Sequence, residues 1–417
     1  MDELGLFTAA LGLGGPWRVT RSEFDAEATQ LDLYLGFERG ARFACPAKDC
    51  AHGGCPVHDT VDKTWRHLDF FQHTAFLHAS LPRVRCPGHG VRQVDVPWAR
   101  PGSGFTLLFE ALILSFAAVM PIAKVAAMTR EHDTRIWRVV EHHVNAARDQ
   151  LDCTGVTRVG MDETSARKGQ DYISIVADLD ARRVLFATGG RSAGTVGRFA
   201  ADLADHGGDP ATVTDTSSDM STAFISGIRA HLPNARMTFD RYHLAATLSE
   251  AIDTVRRHEV TTRPELKHTR WLWLKNHANL TARQQGELHR LMRPSAQLAT
   301  ARALRWREDF QAFYDQDPSY APEYLRRWCY GATRSRLQPI KDFVTLVEKH
   351  WDGIIAWHQN HQTNGLLEGI NSIIQAAKAR ARGYRNKNKM ITIVYLTAAK
   401  LQLPTLTHPE PAYITSR

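Results

Sequence analysis

The sequence predicts a mixed α/β protein built in several parts, and three observations lead there. Three β-rich runs in immediate succession, 156–161, 172–178 and 183–188, are followed by alternating helix and strand as far as residue 239. Four of the six cysteines fall within the first 90 residues, among glycine and proline. From 244 to 365 the pattern turns helical and rich in tryptophan and arginine. At 417 residues, 43% hydrophobic and 23% charged, the chain has room for two or three domains with ordinary cores. No apolar run nears the roughly 18 residues that span a bilayer. The start, Met-Asp-Glu-Leu-Gly-Leu-Phe, has neither a basic leader nor a cleavage signature, so a cytoplasmic protein is expected.

Residues 1–40 are weakly patterned and offer no chemistry. Next come Cys45-Pro-Ala-Lys-Asp-Cys50 and Cys55-Pro-Val-His58, and then Arg85-Cys86-Pro-Gly-His89. In a cytosolic chain such clustering favours metal over disulfides. Zinc takes four tetrahedral N or S ligands, and turns rich in Gly and Pro let two close ligands face one ion. The simplest set is Cys45, Cys50, Cys86 and His89, with Cys55 or His58 as substitutes; reduced cysteines in a small β-rich module are the alternative. Trp65 and Phe70-Phe71 are expected to pack against this site.

Residues 105–150 read as three helices. Phe105–Val119 is apolar, Pro121–Met128 starts on a proline whose missing donor costs nothing there, and Thr134–Val144 is amphipathic and carries Arg135 and Arg138. Short helix, turn and amphipathic helix with cations is a helix-turn-helix pattern.

The strand 156–161 runs into Asp162-Glu163. After the two further strands, 195–206 reads as a helix with Val196, Phe199, Ala200 and Leu203 on one face. Val213-Thr214 reads as a short strand leading to Asp215 and Asp219, 222–232 as a helix, and 235–239 as a fifth strand ending in Asp240-Arg-Tyr-His243. The order β-β-β-α-β-α-β, with carboxylates after the first, fourth and fifth strands, is that of a ribonuclease-H-like fold. There the first and fourth strands are neighbours, which brings Asp162 and Asp219 side by side.

Six of the ten tryptophans lie at 271, 273, 306, 328, 351 and 357, and most are expected in the core of an all-helical subdomain, although one could stack on an unpaired base. Asn364-Gly-Leu-Leu-Glu368-Gly-Ile-Asn371 then opens an amphipathic helix with Glu368 just inside it. That helix runs into Lys378, Arg380, Arg382, Arg385, Lys387 and Lys389, a stretch without an acid. With a formal net charge of +8, this cluster points to phosphate.

Met161-Asp-Glu, Tyr172-Ile-Ser-Ile-Val-Ala-Asp178, Ser218-Asp-Met220, Phe239-Asp-Arg-Tyr-His243 and Leu367-Glu-Gly-Ile-Asn371 together resemble the bacterial insertion-sequence transposases of the IS-L-three family. Trp65–Phe70 with Arg85–Gly90 resembles that family's zinc-finger segment, and Phe105–Glu110 its helix-turn-helix. The resemblance runs from about residue 5 to 405. It implies a DDE triad of Asp162, Asp219 and Glu368 holding Mg²⁺ (or Mn²⁺), structural Zn²⁺, and Asp240 and His243 as accessory residues. Asp240 stands as runner-up for the second acid, Asp215 and Asp178 behind it. The implied partners are the DNA of the element's ends and of the target, bound by a dimer or higher oligomer, without a membrane. The implied division is an N-terminal segment 1–40, a zinc module 41–100, a helix-turn-helix 101–150, a catalytic domain 151–243 and 364–405, and a helical insertion 244–363. The Cys-x4-Cys spacing departs from the usual Cys-x2-Cys.

Three carboxylates suit this chemistry on physical grounds. In-line attack on phosphorus builds charge on oxygens, and two Mg²⁺ ions about 4 Å apart activate the nucleophile and stabilise the leaving group, held by hard oxygen ligands. A zinc/helix-turn-helix regulator with an inactive catalytic domain, and a ribonuclease-H-like nuclease that cuts without joining, are the competing readings.

Overall fold

The computed structural model describes residues 2–52, 54–167 and 171–409. The chain divides into two compact units, one of residues 1–150, 379–382 and 401–417, the other of 151–378 and 383–400.

In the first unit a short helix, α1 (Glu3–Ala10), precedes six strands: β1 (Trp17–Asp25), β2 (Gln30–Phe37), β3 (Arg42–Phe43), β4 (Cys55–Phe70), β5 (His73–Cys86) and β6 (Gly90–Gln93). They form one sheet in the order β1-β2-β5-β4-β3, with β6 on β5; the β2–β5 pair is parallel and the others antiparallel. The stretch that carried no readable chemistry thus supplies two of the strands. Strict alternation explains why β2 forms: Leu31, Leu33 and Leu35 are buried while their neighbours are not. Trp65 and Trp17 meet Trp98 edge to face, at 5.6 and 4.8 Å between ring centres. Trp65 is core, but Phe70 and Phe71 are exposed at the β4–β5 turn, so their expected packing on the cysteines does not occur. The sixteen residues of β4, at about 3.3 Å each, put the turn at the far end of the strand from Cys55.

Three helices complete this unit: α2 (Leu107–Ala117), α3 (Ile122–Thr129) and α4 (Asp133–Arg148). The Thr106 side chain caps α2. Arg130, at φ 56°, makes the left-handed turn between α3 and α4. Inside the group, Glu110 is fully buried, accepting from Arg100, Ser103 Oγ (2.6 Å) and His143 Nε2 (2.7 Å).

The second unit holds a five-stranded mixed sheet: β7 (Arg158–Arg167), β8 (Asp171–Asp178), β9 (Arg183–Gly189), β10 (Asp215–Ser218) and β11 (Arg236–Phe239). The order is β11-β10-β7-β8-β9, with β11, β10 and β7 parallel and β8 and β9 antiparallel hairpin partners. The helices α5 (Ala193–Asp205) and α6 (Thr222–His231) connect β9 to β10 and β10 to β11. Between β11 and residue 360 the described residues form eight α-helices: α7 (Arg241–Glu259), α8 (Arg270–Leu274), α9 (Ala282–Leu291), α10 (Ala299–Gln311), α11 (Ala321–Thr333), α12 (Gln338–Lys349), α13 (Trp351–Ile355) and α14 (Trp357–Asn360). Their core gathers Trp273, Phe310, Phe313, Trp328 and Phe343. Of the six tryptophans in this region only Trp271 is largely exposed. The last helices are α15 (Gly365–Arg380) and α16 (Lys387–Ala398); on α16, the Tyr395 hydroxyl accepts from the Ala187 amide of β9 at 2.8 Å.

Candidate active site and zinc cluster

Three aspartates occupy one row across the parallel strands. The β10–β7 ladder pairs Ser217 with Gly160, and the β10–β11 ladder pairs Ser218 with Phe239. Continuing both registers places Asp219 beside Asp162 on one side and Asp240 on the other, at the roughly 4.8 Å strand spacing. The fourth strand lies at 215–218, not at 213–214 as the sequence pattern indicates, so its C-terminal residue abuts Asp219 directly. Asp162 is also not at a strand end: β7 runs on to Arg167, supported by β8, with Asp162 opposite Ile175. What ends there is its parallel neighbour, and that opens the site.

The row is electrostatically crowded. Burial, with the charges of Asp219 and Asp240, pushes the Asp162 carboxyl above its ordinary value, against an amide hydrogen bond from Glu163 (2.7 Å) and the charge of His243. Glu163 is pushed up likewise, by burial and then by Asp219 and Asp162. Asp240 is 1% exposed, and neither of its oxygens has a hydrogen-bond partner among the described residues. The Tyr314 hydroxyl is likewise buried without a partner among the described residues, its pKa raised by burial and by Asp240. A buried carboxylate with nothing donating to it is costly, and a row of hard oxygens is the donor set that divalent magnesium takes. The row therefore fits a cation, although no three of its ligand atoms lie within 4.8 Å of one another. Asp178 and Asp215 are otherwise engaged: the first accepts amides of Asp180 and Ala181 in the β8–β9 turn, the second the Asn360 amide (3.0 Å).

Helix α15 lies along β7. A Cβ on Gly160 would come within 2.7 Å of Leu367 Cδ1, Asn371 Nδ2 donates to Asp162 Oδ2 (2.7 Å), Gln375 Nε2 to Thr164 Oγ1 (2.7 Å), and Lys378 Nζ to the Ser165 carbonyl (2.6 Å). Five strand residues at about 3.3 Å and eleven helical ones at about 1.5 Å cover the same ~17 Å, so the two run in step. Glu368 sits one turn before Asn371, exposed, and its charge is not among those that shift Asp162. The structure thus brings Asp162, Asp219, Asp240 and His243 together and carries Glu368 on the helix docked against them. Asn371 was not singled out from sequence; its i+3 spacing from Glu368 on one helix is the signal that marks it.

In the first unit, Cys45, Cys50, Cys86 and His89 offer ligand atoms all within 4.8 Å of one another. Cys50 Sγ to Cys86 Sγ is 3.4 Å and Cys86 Sγ to His89 Nδ1 is 3.6 Å, near the ~3.8 Å that a tetrahedron with Zn–S of about 2.3 Å requires. His89 Nε2 reaches Asp49 Oδ1 at 3.2 Å, which leaves Nδ1 facing the thiols. Burial opposes ionisation of Cys86, but hydrogen bonds from His89, Cys50 and two amides bring its pKa to about 6. Cys55 is buried beside the four, while His58 turns away to Arg85 (3.2 Å). The donor set fits zinc.

The cations divide. Arg135 pairs with Glu131 and lies 4.2 Å over Phe105, whereas Arg138 is exposed on α4. Lys378 holds Ser165, Lys387 pairs with Asp171, Arg380 donates to the Val119 carbonyl, and Arg382 and Arg385 are exposed. Lys389 is half-buried and has a partner of its own. Among the described residues no helix is long and apolar enough to cross a membrane.

A cysteine–histidine cluster suited to zinc, a three-helix group and an acid-lined sheet are the parts of a DNA-acting enzyme, and comparison with known families agrees. Residues 42–89 match the zinc-finger of the transposases of IS204, IS1001, IS1096 and IS1165, 94–144 match the helix-turn-helix domain of transposase family ISL3, and 159–394 match that family's transposase domain. The chain belongs to the ISL3 family of insertion-sequence transposases. It is 27% identical over 387 residues to the transposase for insertion sequence element IS1557 of Mycobacterium tuberculosis, covering 84% of this chain and 85% of the relative. To the transposase for IS1001 of Bordetella parapertussis it is 28% identical over 344 residues, 79% and 83% of the two chains. The zinc-finger match and the Cys3His cluster together support structural zinc.

Proposed function

We propose that this protein is a DDE transposase, which binds the terminal inverted repeats of its insertion sequence in the bacterial cytoplasm and cuts and joins DNA through Asp162, Asp219 and Glu368. The observation that carries the reading is the row of Asp162, Asp219 and Asp240, with the orphaned carboxylate of Asp240 at its end. The catalytic domain, 151–243 with 364–405, is ribonuclease-H-like, and 244–363 is a helical insertion between its fifth strand and the α15 helix. The zinc module 41–100, its ion held by Cys45, Cys50, Cys86 and His89, and the helix-turn-helix 101–150 read the ends.

Magnesium bound at the row would activate the attacking water or 3′-hydroxyl and stabilise the leaving oxygen. The chain's own contribution is placement. Strands β7 and β10 hold Asp162 and Asp219 one strand apart, Asn371 fixes the Asp162 carboxylate, and α15 carries Glu368 one turn before Asn371. Asp240 and His243 complete the set, the first as an added acid, the second as a neighbour that lowers the pKa of Asp162 against the pull of burial. Arg138, Arg382 and Arg385 are free to meet phosphates; a dimer on DNA would hold two ends together.

The test is Asp162→Ala on a duplex carrying the element's end. Mg²⁺-dependent cleavage and joining should vanish while end-binding, followed by fluorescence anisotropy, stays at the wild-type level. A variant that still cuts in Mg²⁺ sinks the assignment.

A further inference from the structure

Asp240 sits where an aspartate ordinarily caps a helix, and it does not cap. It immediately precedes α7, yet no amide of that helix donates to its side chain, although an aspartate in that place usually takes one. Both its oxygens are buried without a partner among the described residues. Its own helix therefore does not account for it.

Two further orphans lie close by, and both come from the helical region after β11. Tyr314, in the single turn that follows α10, packs against the rings of Phe310, Phe313 and Trp357, at 6.0, 5.0 and 5.0 Å between centres. Trp357, on α14, lies 5.8 Å from the guanidinium of Arg241, the residue next to Asp240. The Tyr314 hydroxyl and the Trp357 Nε1 are buried without partners among the described residues, whereas buried tyrosines and tryptophans usually find one. In such a cage of rings a phenylalanine would pack as well and bury no hydroxyl, so packing does not explain the tyrosine. Burial, and after it the charge of Asp240, raises the Tyr314 pKa: the hydroxyl senses that carboxylate.

The three orphans are complementary. An indole N–H only donates, an ionised carboxylate only accepts, and a phenol can donate. No direct hydrogen bond joins them, and a polar contact beyond about 3.5 Å calls for water between the groups. One water that accepts from Tyr314 and Trp357 and donates to Asp240 satisfies all three, and it has the number of partners a buried water needs.

We propose that Tyr314 and Trp357 are positioning residues of the acid row, which hold Asp240 through one bridging water and leave its other oxygen to the row's cation. It rests on the transposase reading, which gives the row its metal.

The experiment uses the full chain as wild type, Tyr314→Phe, Trp357→Phe, Asp240→Ala and the double variant Tyr314→Phe/Asp240→Ala. Melting temperature is followed against MgCl₂ without DNA, and cleavage of a duplex carrying the element's end is followed against Mg²⁺. Tyr314→Phe should fold as wild type in metal-free buffer and raise the half-saturating Mg²⁺ by about 10- to 100-fold in both titrations, the range expected when an outer partner of a metal ligand is lost. Excess Mg²⁺ should restore its cleavage, and its affinity for the duplex should match wild type. In the Asp240→Ala background the same substitution should add nothing, because the two residues act as one unit. Trp357→Phe should follow Tyr314→Phe, so a poorly folded variant at one position leaves the other to decide. Half-saturation at the wild-type value in both single variants, or an equal rise in the Asp240→Ala background, overturns the proposal and makes the two rings core alone. Wild-type protein that neither binds nor cuts the end duplex overturns the transposase reading instead, while the melting titration still decides the link to Asp240.

Discussion

Asn371 donates from Nδ2 to Asp162 Oδ2 at 2.7 Å, across 209 positions of sequence. The bond does two things. It occupies one oxygen of the most crowded carboxylate in the row, and it fixes the rotation of α15 about its axis, hence where Glu368 one turn earlier points. Asn371→Ala is therefore expected to lower Mg²⁺-dependent cleavage by about 10- to 100-fold, the usual cost of losing a group that orients a metal ligand. End-binding should be unaffected, and the loss should be partly recovered at higher Mg²⁺. A variant with wild-type cleavage at every Mg²⁺ concentration would show that the bond merely pins the helix.

Asp162→Asn should separate stability from activity. The folded-state pKa of Asp162 is raised, so the folded protein holds that proton more tightly than the unfolded chain. Its ionisation then costs stability, and the cost sets in as pH rises from the ordinary value of 3.8 through the raised one. Removing the charge is expected to raise the melting temperature at pH 7 in metal-free buffer, with a smaller gain at pH 4. Added MgCl₂ should raise the wild-type melting temperature and leave the variant unmoved.

These two residues also mark the limit of what the chain discloses on reading. The sheet order and the neighbouring of Asp162 and Asp219 were legible because β-branched runs and helical spacings punctuate 156–239. The fourth strand was misplaced because its residues, Asp215-Thr-Ser-Ser218, are polar. Thr216, Ser217 and Ser218 are nonetheless buried, between two parallel neighbours that satisfy their backbone. The end of the first strand was misread for a related reason: Thr164, Ser165 and Arg167 carry no apolar signal, and β8 holds them in the sheet.

The cysteine cluster gives a stoichiometric prediction. Purified protein should carry one zinc per chain by elemental analysis, and Cys86→Ser should lose it. Thiolate ligands must be deprotonated, so zinc should also be released as pH falls. Cys55→Ser should keep its zinc, because Cys45, Cys50, Cys86 and His89 already make four ligands. Zinc loss in Cys55→Ser would move that residue into the ligand set in place of one of them.

Within the helix-turn-helix, Glu110 is fully buried, bonded to Arg100, Ser103 and the equally buried His143. Burial opposes its ionisation, but the His143 hydrogen bond and charge and the Arg100 charge hold its pKa below the usual range. The carboxylate's contribution to stability is present above the ordinary 4.5 and is lost as pH falls through the lowered value. Glu110→Ala strands the other members and should cost about 3–5 kcal/mol, read by urea unfolding of the first unit. A cost below about 1 kcal/mol would mean that water replaces the carboxylate.

Gly160 supplies the remaining prediction, because Leu367 of α15 packs directly on it. A Cβ there would meet Leu367 Cδ1 at 2.7 Å and Leu179 Cδ2 at 2.8 Å. Both are ends of flexible side chains, so Gly160→Ala should be absorbed by small rotations at about 1 kcal/mol, whereas the branched Gly160→Val should cost about 1–3 kcal/mol as overpacking. The functional cost should be larger than the stability cost. A helix lifted at Leu367 loosens the Asn371 bond to Asp162 and moves Glu368 with it, and a displacement of about 1 Å at a reacting centre can cost ~100-fold. Cleavage should accordingly fall by one to two orders of magnitude from Ala to Val, with folding retained by circular dichroism. Gly160→Val with full cleavage activity would mean that the register between α15 and β7 does not set the position of Glu368.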